Sequence, residues 1–297
     1  MKKSPKIIFF GTEEYSLVAL KALVENDFDV VAVVTKPDMI KGRGRKLVAP
    51  PVKAYAIEQN IAVWQPTKLT EIADKITALQ PVAGVLVAYG KIIPQRIINL
   101  FTPGIINLHP SLLPLYRGPS PIESAIANLD NETGVSIMKL DAEMDAGPVY
   151  YQVRLALSGS ETKQELYDQL FALGSQTLIE TLPDIISGEL QPIAQDHTKA
   201  TYCQMLSKDL SLIDPIKLTA TQAEAHVRAY LGFPRSQVDT TFDRLTITKA
   251  HVSQTADSAL SIKCRDDIFL TIDELISPSS GRTISAGDFF NGIKNRF

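Results

Sequence analysis

Short apolar runs alternate with amphipathic segments along the first half of the chain. The runs at 6–10 (KIIFF), 29–35 (DVVAVVT) and 82–89 (VAGVLVAY) are typical of strands that are buried on both faces of a parallel sheet. Between the first two, the segment from Glu14 to Asn26 carries its leucines at helical spacing. This alternation of strand and helix predicts an α/β fold with a doubly wound, mostly parallel sheet.

The same reading extends to residue 190 and then changes. Further helices are predicted at 50–60, 70–79, 121–129 and 162–186, and further strands at 62–65, 104–108, 135–140 and 149–157. Beyond residue 206, a capping box at Thr221 and Glu224 predicts a short helix, followed by strands at 245–252, 259–264 and 268–272. The pattern therefore predicts a larger domain over 1–190, a linker over 191–206, and a small domain over 207–297 that is a barrel or a sandwich.

Composition and charge exclude several classes of protein. The 297 residues carry 30 Lys and Arg against 33 Asp and Glu, a net charge of -3, so the chain has no global basic field for a polyanion. The segment 36–46 is an exception, since its five basic residues stand against one acidic residue for a local charge of +4. Two distant cysteines support neither a disulfide framework nor a zinc site. With no signal peptide and no apolar stretch of membrane-spanning length, we expect a cytoplasmic protein without a membrane partner.

The end of the predicted strand at 104–108 carries the most informative side chains. Asn107 and His109 are two residues apart, so on a strand they project to the same side. An asparagine amide can donate to a developing oxyanion, and an imidazole can carry a proton at neutral pH. A carboxylate would hold that imidazole, and Asp145 is the candidate, with Asp141 as its rival. The spacing alone also fits a structural histidine beside a capping asparagine.

Three stretches together resemble a known family. The run 107–114 (NLHPSLLP), the extension 116–119 (YRGP) and the triplet 145–147 (DAG) look like the signature of the folate-dependent formyltransferases. The resemblance implies a Rossmann-like catalytic domain followed by a smaller β-barrel domain similar to an OB fold. It also implies 10-formyltetrahydrofolate as co-substrate and no metal.

Other stretches are similar to one branch of that family. The stretches 9–12 (FFGT), 35–38 (TKPD), 42–47 (GRGRKL) and 88–94 (AYGKIIP) resemble the formyltransferases that act on methionyl initiator tRNA. The implied reaction is attack of the methionyl α-amino group on the formyl carbon, through a tetrahedral intermediate. The resemblance implies that Asn107 donates to the oxyanion, that His109 carries the proton, and that Asp145 orients His109.

The resemblance also implies binding residues for both substrates. The implied folate cleft is lined by Tyr89, Gly90, Ser111, Leu112, Leu113 and Pro114. The implied tRNA contact is a mobile basic loop that carries Lys41, Arg43, Arg45 and Lys46, with Arg43 as the candidate for a base or sugar contact. A solvated surface loop is the alternative. The domain at 207–297 is a second expected tRNA contact, although its 11 basic and 11 acidic residues leave it neutral.

Two other functions remain open at this point. One is formyl transfer to a small amine, such as an amino sugar nucleotide or a purine precursor. The other is a folate-binding or RNA-binding module without catalysis. The basic loop and roughly ninety residues after the catalytic domain favour tRNA over small amines, and the intact set of Asn107, His109 and Asp145 favours an enzyme. We expect the chain to act as a monomer.

Overall fold

The computed structural model describes residues 5–41, 46–240 and 243–294. The chain forms two compact units, and each unit is assembled from separated segments. The first unit comprises Met1–Gly118, Thr133–Leu155 and Tyr167–Tyr202. The second unit comprises Pro119–Glu132, Ala156–Leu166 and Cys203–Phe297.

Apart from two short strands at 39–41 and 46–48 and a short helix at 95–98, the elements up to residue 187 follow the alternation that the apolar pattern predicts. The strands are β1 (Lys6–Gly11), β2 (Asp29–Val34), β3 (Met39–Lys41), β4 (Lys46–Val48), β5 (Ala62–Trp64), β6 (Ala83–Val87), β7 (Ile105–His109), β8 (Glu132–Lys139) and β9 (Val149–Ala156). The helices are α1 (Glu14–Glu25), α2 (Pro51–Glu58), α3 (Ala73–Leu79), α4 (Gln95–Ile98), α5 (Pro121–Ala127) and α6 (Lys163–Ser187).

A seven-stranded sheet forms the centre of the first unit. Its order is β5-β2-β1-β6-β7-β8-β9, with β3 and β4 forming a separate two-stranded hairpin. The five strands from β5 to β7 are parallel, and β8 runs antiparallel to β7. Apolar side chains of these strands, including Ile8, Phe10 and Val34, are fully buried, as expected for a sheet that is covered on both faces. The predicted α/β class with a mostly parallel sheet is confirmed.

The second unit is built around an antiparallel sheet. Its later elements are α7 (Ala220–Ala229), β10 (Ser236–Asp239), β11 (Arg244–Ser253), β12 (Ser261–Lys263), β13 (Phe269–Ile276), β14 (Thr283–Ser285) and α8 (Ala286–Lys294). The strands are ordered β10-β11-β13-β12, and β14 also pairs with β13. Val227 of α7 packs with Leu245 and Leu270 of the strands in one apolar core. This sheet is consistent with the small barrel that the sequence predicts.

The start of α7 differs from the prediction in its capping residues. The capping box is formed by Thr219 and Gln222, whereas Thr221 and Glu224 were expected to form it. The Thr219 hydroxyl accepts from the Gln222 backbone N–H, and the Gln222 side chain accepts from Thr219. Glu224 instead binds Arg228 one turn later, at 2.8 Å.

In the described part of the chain, no helix combines the length and apolar character that crossing a membrane requires.

The half-buried imidazole of His226 predicts a pH dependence of stability. It lies 2.8 Å from the Ser236 hydroxyl, and burial lowers its pKa from 6.5 to about 4, against a smaller opposing effect of the Leu210 backbone. As the pH falls below 6.5, the unfolded chain takes up this proton before the folded chain does. Stability from this group is therefore present above 6.5 and is lost as the pH falls to about 4.

We expect His226→Asn to remove that pH dependence. The asparagine amide can still donate a hydrogen bond to Ser236, but it has no titratable proton. The variant therefore removes the ionisation at position 226 and largely keeps the packing. Between about pH 7 and about pH 5, the wild-type free energy of unfolding should fall by about 2 kcal/mol more than that of the variant. Urea denaturation at the two pH values measures this difference. Equal losses in both proteins would contradict the assignment to His226.

Candidate active site

The carboxyl end of β7 places an amide and an imidazole on the same face of the sheet. Asn107 and His109 are both 5% exposed, and they follow one another at the two-residue repeat of the strand. Within the described residues, no group hydrogen-bonds to the Asn107 carboxamide. An almost buried amide with free donors is suited to bind an oxygen atom of a ligand.

The imidazole of His109 faces an acceptor at each ring nitrogen. Its Nε2 is 3.0 Å from the Tyr116 carbonyl oxygen, and its Nδ1 is 3.7 Å from Asp145 Oδ2. The first distance is that of a hydrogen bond, which places a proton on Nε2. The second distance exceeds a hydrogen bond, but it brings the carboxylate close enough to attract the ring when both nitrogens are protonated.

Of the two candidate carboxylates, the structure brings Asp145 to His109. Asp145 Oδ2 also accepts from the Gly118 backbone N–H at 2.9 Å, so this carboxylate is fixed from two sides. The Asp141 carboxylate accepts from the backbone N–H groups of the next two residues and closes a local turn. Within the described ranges, no three His, Cys, Asp or Glu side chains gather in an arrangement that could hold a metal ion.

The loop after His109 is held mainly by its own polar groups. Ser111 is fully buried, its hydroxyl donates to the Leu115 carbonyl at 2.6 Å, and its carbonyl accepts from Ser136. The Leu113 side chain is buried, whereas those of Leu112 and Pro114 are only partly buried. The loop therefore presents Leu112, Pro114 and backbone groups as the parts that a ligand could meet.

The ends of β1, β2 and β6 meet beside this loop region of the first unit. The Thr12 hydroxyl donates to the Tyr89 carbonyl at 3.0 Å and accepts from the Lys36 backbone N–H at 3.3 Å. Gly90 has a φ of 69°, and a Cβ on it would lie 2.4 Å from the Lys36 ammonium nitrogen. The left-handed conformation therefore favours glycine at position 90, whereas the flexible Lys36 side chain could move away from a Cβ.

Tyr89 itself belongs to the core. Its side chain is 1% exposed and its ring packs edge to face on Phe10, with the ring centroids 5.9 Å apart. Burial raises the pKa of Tyr89 to about 12. Its hydroxyl has no hydrogen-bond partner within the described part of the molecule. The Tyr89 side chain therefore lies in the core, and only the Tyr89 backbone, whose carbonyl binds Thr12, lies at the carboxyl ends of the strands.

The basic segment is anchored at its base. Strands β3 and β4 pair so that Met39 lies opposite Val48, and Lys46 at the start of β4 is exposed. The Asp38 carboxylate binds the Lys53 ammonium at 2.8 Å and the Gln65 amide at 2.7 Å. These two contacts hold the pKa of Asp38 below its usual range. Arg43 and Arg45 lie outside the described residues, as does the side chain of Lys41.

The segment 193–202, for which the sequence predicts only a linker, contacts two loops of the site. These are the loop that follows His109 and the loop that carries Asp145. Ile193 and Val149 exchange two backbone hydrogen bonds of 2.8 Å, and Thr201 binds the backbone of Pro114 and Arg117. The Gln195 side chain bridges the Arg117 guanidinium and the backbone beside Asp145. These contacts join residues 44 to 87 positions apart, so no local pattern in the sequence could have indicated them.

Comparison with known proteins identifies the class to which this fold and this site belong. Residues 5–182 match the family model described as formyl transferase. Since the match covers more than half of the chain, the chain belongs to the formyl transferase family. Relatives over nearly the whole chain then place it with the methionyl-tRNA formyltransferases.

Two such relatives illustrate the extent of the match. The methionyl-tRNA formyltransferase of Myxococcus xanthus is 37% identical over 302 residues, covering 98% of this chain and 96% of the relative. That of Chloroflexus aurantiacus is 40% identical over 250 residues, covering 84% of this chain and 80% of the relative. Identity at this level extends well beyond the catalytic signature.

Among solved structures, the fold is shared with an N-formyltransferase from Helicobacter canadensis. That protein was crystallised with folinic acid and dTDP-3-aminofucose. It superposes with a TM-score of 0.69, covering 91% of this chain and 98% of that chain, at 19% sequence identity. At this identity the likeness concerns the fold alone.

Proposed function

We propose that this protein transfers the formyl group of 10-formyltetrahydrofolate to the α-amino group of methionyl initiator tRNA, giving formylmethionyl-tRNA for translation initiation. The observation that carries the proposal is the pairing, at one strand end, of the unpartnered Asn107 carboxamide with the carboxylate-flanked imidazole of His109. The first group suits a developing oxyanion and the second a moving proton. The tRNA acceptor is favoured by the whole-length relatives.

Each of the three side chains has a separate part in this proposal. Asn107 donates to the formyl oxygen as the amine adds and negative charge develops. His109 accepts a proton from the attacking nitrogen as the tetrahedral intermediate forms, and it delivers the proton to N10 of the folate as the intermediate collapses and the old C–N bond breaks. Asp145 holds the ring and stabilises its doubly protonated form. Since Nε2 donates to the Tyr116 carbonyl in this structure, we expect the bound substrate to displace that carbonyl, with the ring proton then on Nδ1 beside Asp145, so that Nε2 can accept the proton.

The chemistry of the cleft fits the folate donor. The partly buried side chains of Leu112 and Pro114 offer apolar surface to the ring system. The side chains of Ser111, Leu113 and Tyr89 are buried, and the backbone groups of Ser111 and Leu113 are bound within the protein. The backbone of Tyr89 and Gly90 is therefore the part that we propose for the amide-like edges of the folate. When bound, the donor supplies the activated formyl group, and the chain supplies orientation and proton transfer.

The proposed function is tested with purified protein, 10-formyltetrahydrofolate and charged initiator tRNA. We expect formylmethionyl-tRNA as product, and no formylation of free methionine. An amino sugar nucleotide serves as the competing acceptor. Rapid formylation of that nucleotide without activity on charged tRNA would replace this proposal with a sugar formyltransferase, and inactivity on every acceptor would favour a binding module.

The basic segment gives a second prediction, which concerns tRNA alone. We propose that Lys41, Arg43, Arg45 and Lys46 contact the acceptor stem, as the local charge of +4 suggests. Loss of one contact should weaken binding, and loss of a charge that neutralises a phosphate, as in Lys46→Ala, should also reduce the salt slope of log K by about 0.7–0.9. We therefore expect Arg43→Ala to raise the KM for charged tRNA and leave the KM for the folate unchanged.

Steady-state kinetics at several salt concentrations measure both effects. The matched control is Arg96→Ala, which removes the same charge from an exposed position on α4. It should behave as wild type. If Arg43→Ala raised both Michaelis constants equally, the segment would act on the fold and not on tRNA.

A further inference from the structure

Gln195 occupies a buried position between Arg117 and the loop that carries Asp145. Its side-chain oxygen accepts from Arg117 Nε at 3.1 Å and from Nη2 at 2.7 Å. Its side-chain nitrogen donates to the carbonyl oxygens of Asp145 at 2.8 Å and of Gly147 at 2.6 Å. Since arginine only donates and carbonyl oxygens only accept, these partners fix the orientation of the amide.

The loop that Gln195 holds is in a conformation that needs support. Asp145 has a φ of 49°, in the left-handed region that residues other than glycine rarely adopt. Two residues later, a Cβ on Gly147 would lie 2.0 Å from the Lys139 carbonyl oxygen, so the backbone at 147 is too close to that of Lys139 to leave room for a side chain. The Gln195 amide donates a hydrogen bond to the backbone carbonyl of Asp145, and the Gly118 N–H donates one to the Asp145 carboxylate.

The other end of the contact is equally fixed. Arg117 is 1% exposed, and its guanidinium also contacts Tyr202 Oη and His197 Nδ1, each at 3.4 Å. Gln195 is 8% exposed. A buried donor set that is held on several sides can transmit a fixed position to the loop it binds.

We infer that Gln195 is a positioning residue for formyl transfer, which sets the Asp145 carboxylate relative to His109 through the backbone of residues 145 and 147. This inference rests on the proposed function, because it assigns Gln195 to the same site. Gln195 lies outside the reacting atoms, so its effect passes through Asp145. A displacement of a catalytic group by about 1 Å can cost about a hundredfold in rate, and the effect falls on turnover more than on binding.

The substitution Gln195→Glu tests this directly. A carboxylate still accepts from Arg117, but it cannot donate to the two carbonyl oxygens, so only the contact to the Asp145 loop is broken. We expect kcat to fall by about 10–100-fold, while the Michaelis constants for both substrates change by less than about threefold. Gln195→Met, which has similar size and no donor, should give the same split and covers the case in which the buried glutamate prevents folding.

A matched control is Gln191→Glu, four residues earlier in the chain. Gln191 is exposed, and its amide donates to the Gly188 carbonyl at 2.6 Å, so the variant loses a comparable contact away from the site. It should turn over as wild type. If Gln195→Glu kept its kcat within about twofold of wild type, or raised the Michaelis constants without lowering kcat, the positioning role would be wrong.

A double-mutant cycle separates positioning from general damage. If Gln195 acts through Asp145, then Gln195→Glu combined with Asp145→Asn should be no slower than Asp145→Asn alone. Multiplying losses would show that Gln195 acts independently of Asp145. That result would overturn the inference and leave the proposed function intact.

One readout does not depend on activity. The ring-proton NMR signal of His109, assigned by its loss in His109→Gln, should shift in Gln195→Glu and stay in place in Gln191→Glu. An unmoved signal would contradict the inference whichever acceptor the enzyme uses. Inactivity of the wild-type protein on charged tRNA would instead contradict the proposed function.

Discussion

Replacing His109 with alanine is expected to lower turnover by about 2–4 orders of magnitude, the usual range for a positioned proton carrier. The His109 ring is nearly buried between the Tyr116 carbonyl and the Asp145 carboxylate. Among the described residues, no other histidine forms a hydrogen bond or ion pair with Asn107 or Asp145, so none is placed to replace His109. Single-turnover formylation of charged initiator tRNA, with both substrates saturating, isolates this chemical step from substrate binding.

The variant His109→Gln separates proton transfer from structure. Its amide can reproduce the hydrogen bond to the Tyr116 carbonyl, but it cannot carry a proton at neutral pH. We expect a melting temperature close to that of wild type together with the same loss of turnover as in His109→Ala. Turnover restored by glutamine would mean that His109 only holds the loop in place.

Removing the Asn107 amide is expected to lower kcat by about 10²–10³-fold, as for other single donors to an oxyanion. Its carboxamide has no partner within the described structure, so its hydrogen bonds are available to the reacting oxygen. The Michaelis constants should change little, because the interaction strengthens only as charge develops. Steady-state kinetics of Asn107→Ala measure this split.

The control for this prediction is Asn99→Ala. Asn99 is an exposed asparagine that accepts from the Gln95 amide at 2.7 Å. The Asn99→Ala variant loses the same side chain at the surface of the first unit. Its kcat should match that of wild type. An Asn107→Ala enzyme with unchanged kcat and a raised KM would assign the amide to ground-state binding.

The sequence predicts the central sheet well, because its strands are long apolar runs that must be buried on both faces. It also predicts Asn107 and His109, since the two-residue repeat of β7 is enough to put them on one face. The hairpin of β3 and β4 is missed. Its strands have three residues each and expose Ile40 and Leu47, so no burial pattern marks them.

The choice between Asp141 and Asp145 needed the structure. Both precede β9 at plausible spacing, and the difference lies in the left-handed backbone of Asp145 and in the Gly118 N–H that fixes its carboxylate. Gln195 is missed for a related reason. Its partners precede it by 48 to 78 residues, and only tertiary contact gives an isolated glutamine a meaning.

The interleaving of the two units along the chain limits how the protein can be cut or recombined. Since the second unit takes in 119–132 and 156–166, the polypeptide passes from one unit to the other five times. Within that unit, the early segments are integral: Lys163 binds the buried carboxylate of Glu123 at 2.8 Å, and Arg228 donates to the Glu161 carbonyl at 2.8 Å.

No single cleavage therefore yields two complete units. A fragment that stops at residue 190 lacks the Gln195 and Thr201 contacts of the first unit, and a fragment that begins at 203 lacks α5. A chimaera that exchanges the second unit between relatives would have to transplant three segments together. The second unit therefore cannot be added to or removed from this protein by a single insertion or truncation.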